Sequence, residues 1–289
     1  MEKMPIIEIV ESGKQEAVTK KGCKYSLRII PWSKYLPKDV ERAVSREWNR
    51  ALRKESEIAK DVLTAFFISS DKKTNTDFIH LDNFRYVQAF SKSPDFIKHS
   101  SFADKNNLVP LSSLCLVITS DGKIIFGVKK NMSHKISGFS GYAGSGDIKG
   151  NKIDLYKYLC RKIKEELNIP PKSIKRITRI GKTYSGKIVD DEGRINTKSY
   201  DNNFLILLNI DSGRVSSLFR ENFQFSKLVF CDDLPHELVK FVENKLDSIS
   251  AHCVGAIYNY LLLKHKGEAK KLIRNLPKGY ISSQKIQSG

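Results

Sequence analysis

The sequence predicts an α/β (α+β) fold: a mixed β-sheet sandwiched by helices, preceded by a smaller N-terminal α+β region. Three observations carry that prediction. Apolar runs of strand length alternate with segments of helical period, a turn-forming Ser120-Asp121-Gly122-Lys123 separates two such runs, and a glycine-rich stretch from Gly138 to Gly146 leads directly into a helix. With 289 residues, 40% hydrophobic and 28% charged, the chain can bury one large or two modest cores, which excludes wholesale disorder, collagen and coiled coil.

The first 107 residues form the smaller region. Ile6-Ile7-Glu8-Ile9-Val10 and Tyr25-Ser26-Leu27-Arg28-Ile29-Ile30 are strand-like runs on either side of a polar Lys-Gly turn. Pro37-Lys38-Asp39 opens a helix in which Val40, Val44, Trp48, Ala51 and Leu52 recur at spacings of four and three, so one face packs and the other is wet. Phe78, Phe84, Tyr86 and Phe90 read as a short strand-like aromatic segment, and the Ser, Lys, Asp and Asn of Ser91 to Asn107 mark a boundary or connector.

Residues 108–266 form the main domain. Leu114 to Thr119 and Ile124 to Lys130 flank the Asp-Gly turn as a hairpin. The glycine-rich segment then enters a helix from about Asp154 to Leu167, ended by Asn168 and Pro170-Pro171. Strands follow near Ile174 to Tyr184, Phe204 to Ile210 and Lys227 to Cys231, then helices at Asp233 to Leu246 and Cys253 to Lys264. Residues 267–289 read as a loose basic tail.

Fifty Lys and Arg against thirty-two Asp and Glu leave a formal charge of +18, which favours polyanionic partners: nucleic acid, phosphorylated small molecules or an anionic membrane surface. The charges are scattered, so an ordinary Lys-rich surface is the competing reading. Five cysteines without a C-x-x-C pair suit buried free thiols in a reducing compartment, and with neither a secretory leader pattern nor a membrane span the expected location is the cytoplasm.

The chemistry concentrates at Arg161-Lys162-Ile163-Lys164-Glu165-Glu166-Leu167-Asn168-Ile169. Leu155, Leu159, Ile163 and Leu167 form a stripe at four-residue spacing, which leaves Arg161, Lys162, Glu165 and Glu166 to face the glycine loop or solvent. Paired glutamates at a helix C-terminus oppose the helix dipole, so their charge asks for another use. The segment resembles the signature helix of the Nudix hydrolases, G-x5-E-x7-R-E-U-x-E-E-x-G-U: Arg161 matches the arginine, Ile163 the aliphatic, Glu165 and Glu166 the paired acids and Ile169 the final aliphatic. Lys162 stands where the pattern has its first helical glutamate and Asn168 where it has glycine. Counting back from Arg161 puts Ile153 at the middle acid and Asp147 at the opening glycine, unless the loop shifts to bring Gly144 or Gly146 into register. The order of elements looks most like the two-domain branch that hydrolyses UDP-glucose and UDP-galactose, in which Asn also follows the paired acids.

The resemblance implies a Nudix-like fold and hydrolysis, dependent on Mg²⁺ (or Mn²⁺), of a nucleoside diphosphate-linked substrate such as a UDP-sugar. It implies Glu166 and Glu165 as catalytic acids, metal held by Glu165, Glu166 and the Gly144 carbonyl, and substrate phosphate met by Lys129, Lys130 and Lys162. Asp190, Asp191 and Glu192 are the loop acids placed to supply a base, with a solvated turn as their ordinary role. Lys162 is expected to pair with Glu166 at i,i+4. The alternative is a Nudix-fold protein without catalysis that binds a nucleotide or RNA. Oligomeric state is open.

Overall fold

The computed structural model describes residues 7–31, 36–54, 63–92, 108–130, 135–185, 188–189, 195–196 and 199–283. Two sheets organise these residues. The larger contains β1 (Ile7–Glu11), β2 (Glu16–Val18), β6 (Leu111–Ile118), β7 (Lys123–Lys129), β8 (Ile136–Ser137), β9 (Phe139–Tyr142), β12 (Ile174–Ser185), β15 (Ser199–Leu208), β16 (Phe225–Asp232) and β17 (Ile281–Ser283). Its order is β16-β7-β6-β15-β12-β1-β17, with β2 on β12, β8 on β7 and β9 on β6. The β15–β6 and β1–β17 pairs are parallel and the others antiparallel. The smaller sheet runs β10 (Ile148–Lys149), β11 (Lys152–Ile153), β3 (Ser26–Ile29), β5 (Thr76–Asn83) and β4 (Leu63–Asp71) in that order. A short ladder joins β13 (Ile188–Val189) to β14 (Ile195–Asn196).

Period-two alternation on β6 explains the layering. Leu114, Leu116 and Ile118 pack with α6 (Ala251–Lys264), α5 (Pro235–Asn244) and α7 (Lys266–Asn275), whereas Cys115 and Val117 pack with α3 (Leu155–Leu167). Both faces are covered, so the strand reads as a continuous apolar run and not an alternating one. This is the mixed sheet sandwiched by helices that the pattern predicts. Among the described residues no helix is long and apolar enough to cross a membrane.

Strands are shared across the boundary placed near residue 107. From the N-terminal part, β1 and β2 join the larger sheet, while the β10–β11 hairpin from the main part extends the smaller one. Residues 267–289, read from sequence as a loose tail, contribute most of α7, which buries Ala269 and Leu272, and β17, which pairs with β1. Local periodicity reveals an element and its buried face but not the sheet it completes. The aromatic segment also departs from expectation: Phe84 and Tyr86 lie in α2 (Phe84–Lys92), which packs on α1 (Lys38–Lys54) through Val40, Val44, Tyr86 and Val87, with the Trp48 and Phe84 rings edge-on at 6.4 Å. Aromatic content favours strand, but here the helical packing face decides. Residues 93–107 lie outside the described residues.

A buried ionic network ties the smaller sheet to β12. Arg179, fully buried, pairs with Glu11 and with Glu16 at 3.2 Å, donates to Asn202 Oδ1 and lies 3.8 Å over the Tyr25 ring. Lys182, also fully buried, donates to Asp77 at 2.6 Å and to the Ser70 hydroxyl at 3.0 Å. Tyr25 and Ser70 complete the shell by donating to Asp77 at 2.5 and 2.6 Å. Burial, followed by the charge of Asp77, raises the Tyr25 phenol far above its ordinary range; burial also lowers Lys182, against the pull of Asp77.

Candidate functional site

The site begins with the way the glycine-rich segment enters α3. Gly144, Ser145, Gly146 and Asp147 form a single 3-10 turn in which the Asp147 amide donates to the Gly144 carbonyl at 3.0 Å and the Gly144 amide donates to Asp147 Oδ2 at 2.9 Å. Asp154 caps α3 by accepting from the Lys157 amide. The helix ends at Asn168, whose φ of 56° is left-handed. Glycine is the usual residue at such a cap, and Asn is the side chain that tolerates it best. Here its amide also donates to the Leu218 carbonyl at 3.1 Å, so Asn168 ties α3 to α4 (Ser212–Leu218) as glycine could not.

Arg161 clamps the turn to the helix. Its Nε donates to Asp147 Oδ1 at 3.0 Å and its Nη2 to Asp147 Oδ2 at 2.5 Å, while Nη1 reaches Glu165 at 2.8 Å. Asp147 is fully buried. A bidentate guanidinium–carboxylate pair of this kind fixes orientation as well as charge. Asp147 was missed as a functional residue because the pattern assigns its position to glycine. The available signal was an acid at the counted distance from Arg161.

Glu166 is the most enclosed acid of α3. It is 2% exposed, and neither carboxylate oxygen makes a well-formed hydrogen bond, the Ser140 amide offering only a weak one. Burial pushes its pKa up to about 8, while the charges of Lys162 and Lys129 and the Ser140 amide pull the other way. Lys129, partly buried at the end of β7, has its own pKa lowered by burial, opposed by Glu166 and Asp201. Unlike the charges on β12, this acid is enclosed without being satisfied.

Lys162 does not take the partner expected for it. Its ammonium bridges Glu165 Oε2 at 3.3 Å, an i,i+3 pair, and no direct bond to Glu166 forms. Gly141 leaves room for this placement: a Cβ there would stand 2.2 Å from Lys162 Cε and 2.7 Å from its Nζ, so the bare glycine lets the lysine lie along β9. Glu165 is 44% exposed in its side chain and carries both Arg161 and Lys162. Burial works to raise its pKa, but the arginine bond and the two positive charges hold it below the ordinary value.

The structure therefore brings Glu165, Glu166, Lys162 and Lys129 into one neighbourhood. Gly144 lies at the turn before the helix, its carbonyl already accepting one bond. Lys130 turns elsewhere and pairs with Glu221 at 2.5 Å. Asp190, Asp191 and Glu192 lie outside the described residues. Among the described residues, no three His, Cys, Asp or Glu side chains converge as a metal cage. Glu166 nevertheless fits the demand of Mg²⁺ or Mn²⁺ for a hard oxygen donor, because neither of its buried oxygens makes a well-formed hydrogen bond and Mg²⁺ commonly takes one or two carboxylates, keeping water and substrate phosphate for its other positions. On the outer side of α3, Lys20, Lys157, Arg161 and Lys164 line an open groove of about 460 Å³ with Tyr156 and Asp154.

No family model matches this chain, and no curated protein matches it. Its structure is similar to a C. elegans Ap4A hydrolase binary complex (11% identity, TM-score 0.35, covering 53% of this chain and 95% of that one). It is likewise similar to a Nudix hydrolase from Nitrosomonas europaea (11% identity, TM-score 0.33, 53% and 88% covered). A third similar structure is the E. coli dihydroneopterin triphosphate pyrophosphohydrolase (12% identity, TM-score 0.33, 53% and 94% covered). Superpositions this loose leave the chemistry to be argued from the chain's own residues.

Proposed function

We propose that the chain is a metal-dependent hydrolase that cleaves the pyrophosphate of a nucleoside diphosphate-linked substrate, for example a UDP-sugar. The observation that supports it best is the buried Glu166 carboxylate, whose oxygens make no well-formed hydrogen bond, set between Lys129 and Lys162. A carboxylate withdrawn from water with nothing to bond is costly, and such a group fits a site whose partner arrives with the substrate.

Glu166 would hold Mg²⁺ or Mn²⁺, with Glu165 and the remaining lone pair of the Gly144 carbonyl as further donors. When bound, the ion supplies Lewis-acid polarisation of a phosphoryl oxygen and acidifies water. Lys129 and Lys162 neutralise substrate phosphate. Arg161 and Asp147 hold the turn against the helix so that Glu165 and Gly144 keep their positions. Asp190, Asp191 and Glu192 are the proposed sources of a base.

A second reading is supported by Lys162. Its fixed ammonium, bridged to Glu165 and seated on Gly141, puts positive charge where the resembled pattern has an acid. With the basic groove beside it, the site would then recognise a nucleotide or RNA without cleaving it. The test is product release from UDP-glucose, ADP-ribose and capped RNA over a range of Mg²⁺ and Mn²⁺, with phosphatase added to reveal monophosphates. Metal-dependent turnover supports the hydrolase; silence with measurable binding of the same ligands supports the second reading.

A further inference from the structure

A second cluster of chemically competent side chains lies on the opposite face of the central sheet. Asp201 accepts a bond from the Ser112 hydroxyl, and Ser112 alternates with Leu114 and Leu116 toward α6; Glu166 belongs to α3 on the other side. Asp201 is 3% exposed and also accepts from Ser199 Oγ at 3.4 Å. His252, in the first turn of α6, places Nδ1 2.5 Å from Asp201 Oδ2. Its Nε2 lies 3.3 Å from the hydroxyl of Ser185, the last residue of β12.

The order of bonds sets the roles. Burial works to raise the Asp201 pKa, but His252 and the Ser112 hydroxyl hold it below the usual carboxylate range, so Asp201 is an ionised acceptor. An ionised acceptor at Nδ1 selects the tautomer with the proton on that nitrogen, which leaves Nε2 of the neutral ring to accept from Ser185. Backbone bonds between Ile136 and the Ser248–Ser250 segment, with a Ser250–Ser137 hydroxyl bond at 3.1 Å, anchor the start of the helix that carries the ring. About one third of the His252 side chain is exposed, whereas Ser185 and Asp201 are buried, so the ring is the open edge of the cluster.

We propose that Ser185, His252 and Asp201 form a second, metal-independent nucleophilic centre that hydrolyses a small carboxylic ester. Ser185 Oγ bonds to the acyl carbon as its proton passes to His252 Nε2; the acyl C–O bond to the alcohol then breaks and Nε2 returns the proton to the departing oxygen. Water repeats the sequence on the acyl-serine: it gives its proton to Nε2, bonds to the acyl carbon and releases Ser185, which recovers that proton. The sum is ester plus water to acid plus alcohol. Asp201 is a positioning residue that acts through the ring.

The experiment treats the full chain, in EDTA, with a fluorophosphonate probe and with p-nitrophenyl acetate. Intact mass and peptide mapping of the wild type are expected to show one adduct, on Ser185. Ester turnover should be lost in Ser185→Ala, fall at least about 10-fold in His252→Ala, and fall in kcat with little change in KM in Asp201→Asn. Ser216→Ala, an exposed serine on α4, should behave as wild type. No adduct on the wild type, an adduct on another residue, or turnover that survives Ser185→Ala overturns the proposal; mapping on the wild type keeps it testable if a variant fails to fold.

Discussion

The buried charges around β12 and those beside α3 differ in whether they are finished. Around β12, Arg179 and Lys182 have every neighbour they need: Glu11, Glu16, Asp77, Asn202, Ser70 and the Tyr25 ring. Beside α3, Glu166 is as deeply buried but makes no well-formed hydrogen bond. The two β12 cations have no donor nitrogen left for a ligand, although the Nδ2 of Asn202 is unpartnered, and their pairs register two sheets against each other. An incomplete network stores an unmet demand, and that is where a ligand gains most by binding.

The contrast is broken first on the finished side. Asp77→Ala strips Lys182 of its counter-ion and Tyr25 of its acceptor, leaving a buried cation uncompensated, and should cost about 3–5 kcal/mol in urea denaturation. A loss near that of an exposed pair would mean that the network is wetter than its burial indicates.

On the unfinished side the sign reverses. Glu166 has an ordinary pKa of 4.5 and a folded value of about 8, so between those values the folded chain holds its proton more tightly than the unfolded chain. Stability therefore falls as pH rises from about 4.5 to 8, and the penalty is complete above 8. In metal-free buffer Glu166→Gln should match wild type near pH 4 and exceed it near pH 9 by on the order of 4–5 kcal/mol. Equal stability at both values would remove the buried, unsatisfied carboxylate from the account.

The smallest effect is expected at Lys130. Its bridge to Glu221 is solvent-facing, so Lys130→Ala should change stability by less than about 1 kcal/mol and leave nucleotide affinity unchanged. A marked loss of affinity would restore the sequence-based assignment of Lys130 to phosphate and redraw the site.

What was legible in the sequence follows from the range over which each signal acts. The Asp121-Gly122 hairpin is read from its turn, where Gly122 has a φ of 73°, and the stripe Leu155, Leu159, Ile163 and Leu167 is read from spacing, each residue being buried. Asn168 as a left-handed cap is equally local. The partner of Lys162 was not legible: i,i+3 and i,i+4 are both within reach on a helix, and the observed placement uses room left by Gly141 on a different element. Asp147 was hidden because loop residues carry no period to count by. Asp201 and His252 are 51 positions apart, and only the sheet and α6 bring them together. The sharing of strands between sheets is likewise a matter of long-range pairing.

The proposed hydrolysis belongs to the unfinished cluster and not to the finished one. Its most direct test is phosphatase-coupled hydrolysis of UDP-glucose with Mg²⁺, measured side by side in wild type, Glu166→Gln and Tyr25→Phe, with folding checked by circular dichroism. Wild type should show metal-dependent turnover, Tyr25→Phe the same rate and Glu166→Gln a loss of at least about 100-fold. Turnover that survives Glu166→Gln, or that disappears in a folded Tyr25→Phe, would contradict that assignment.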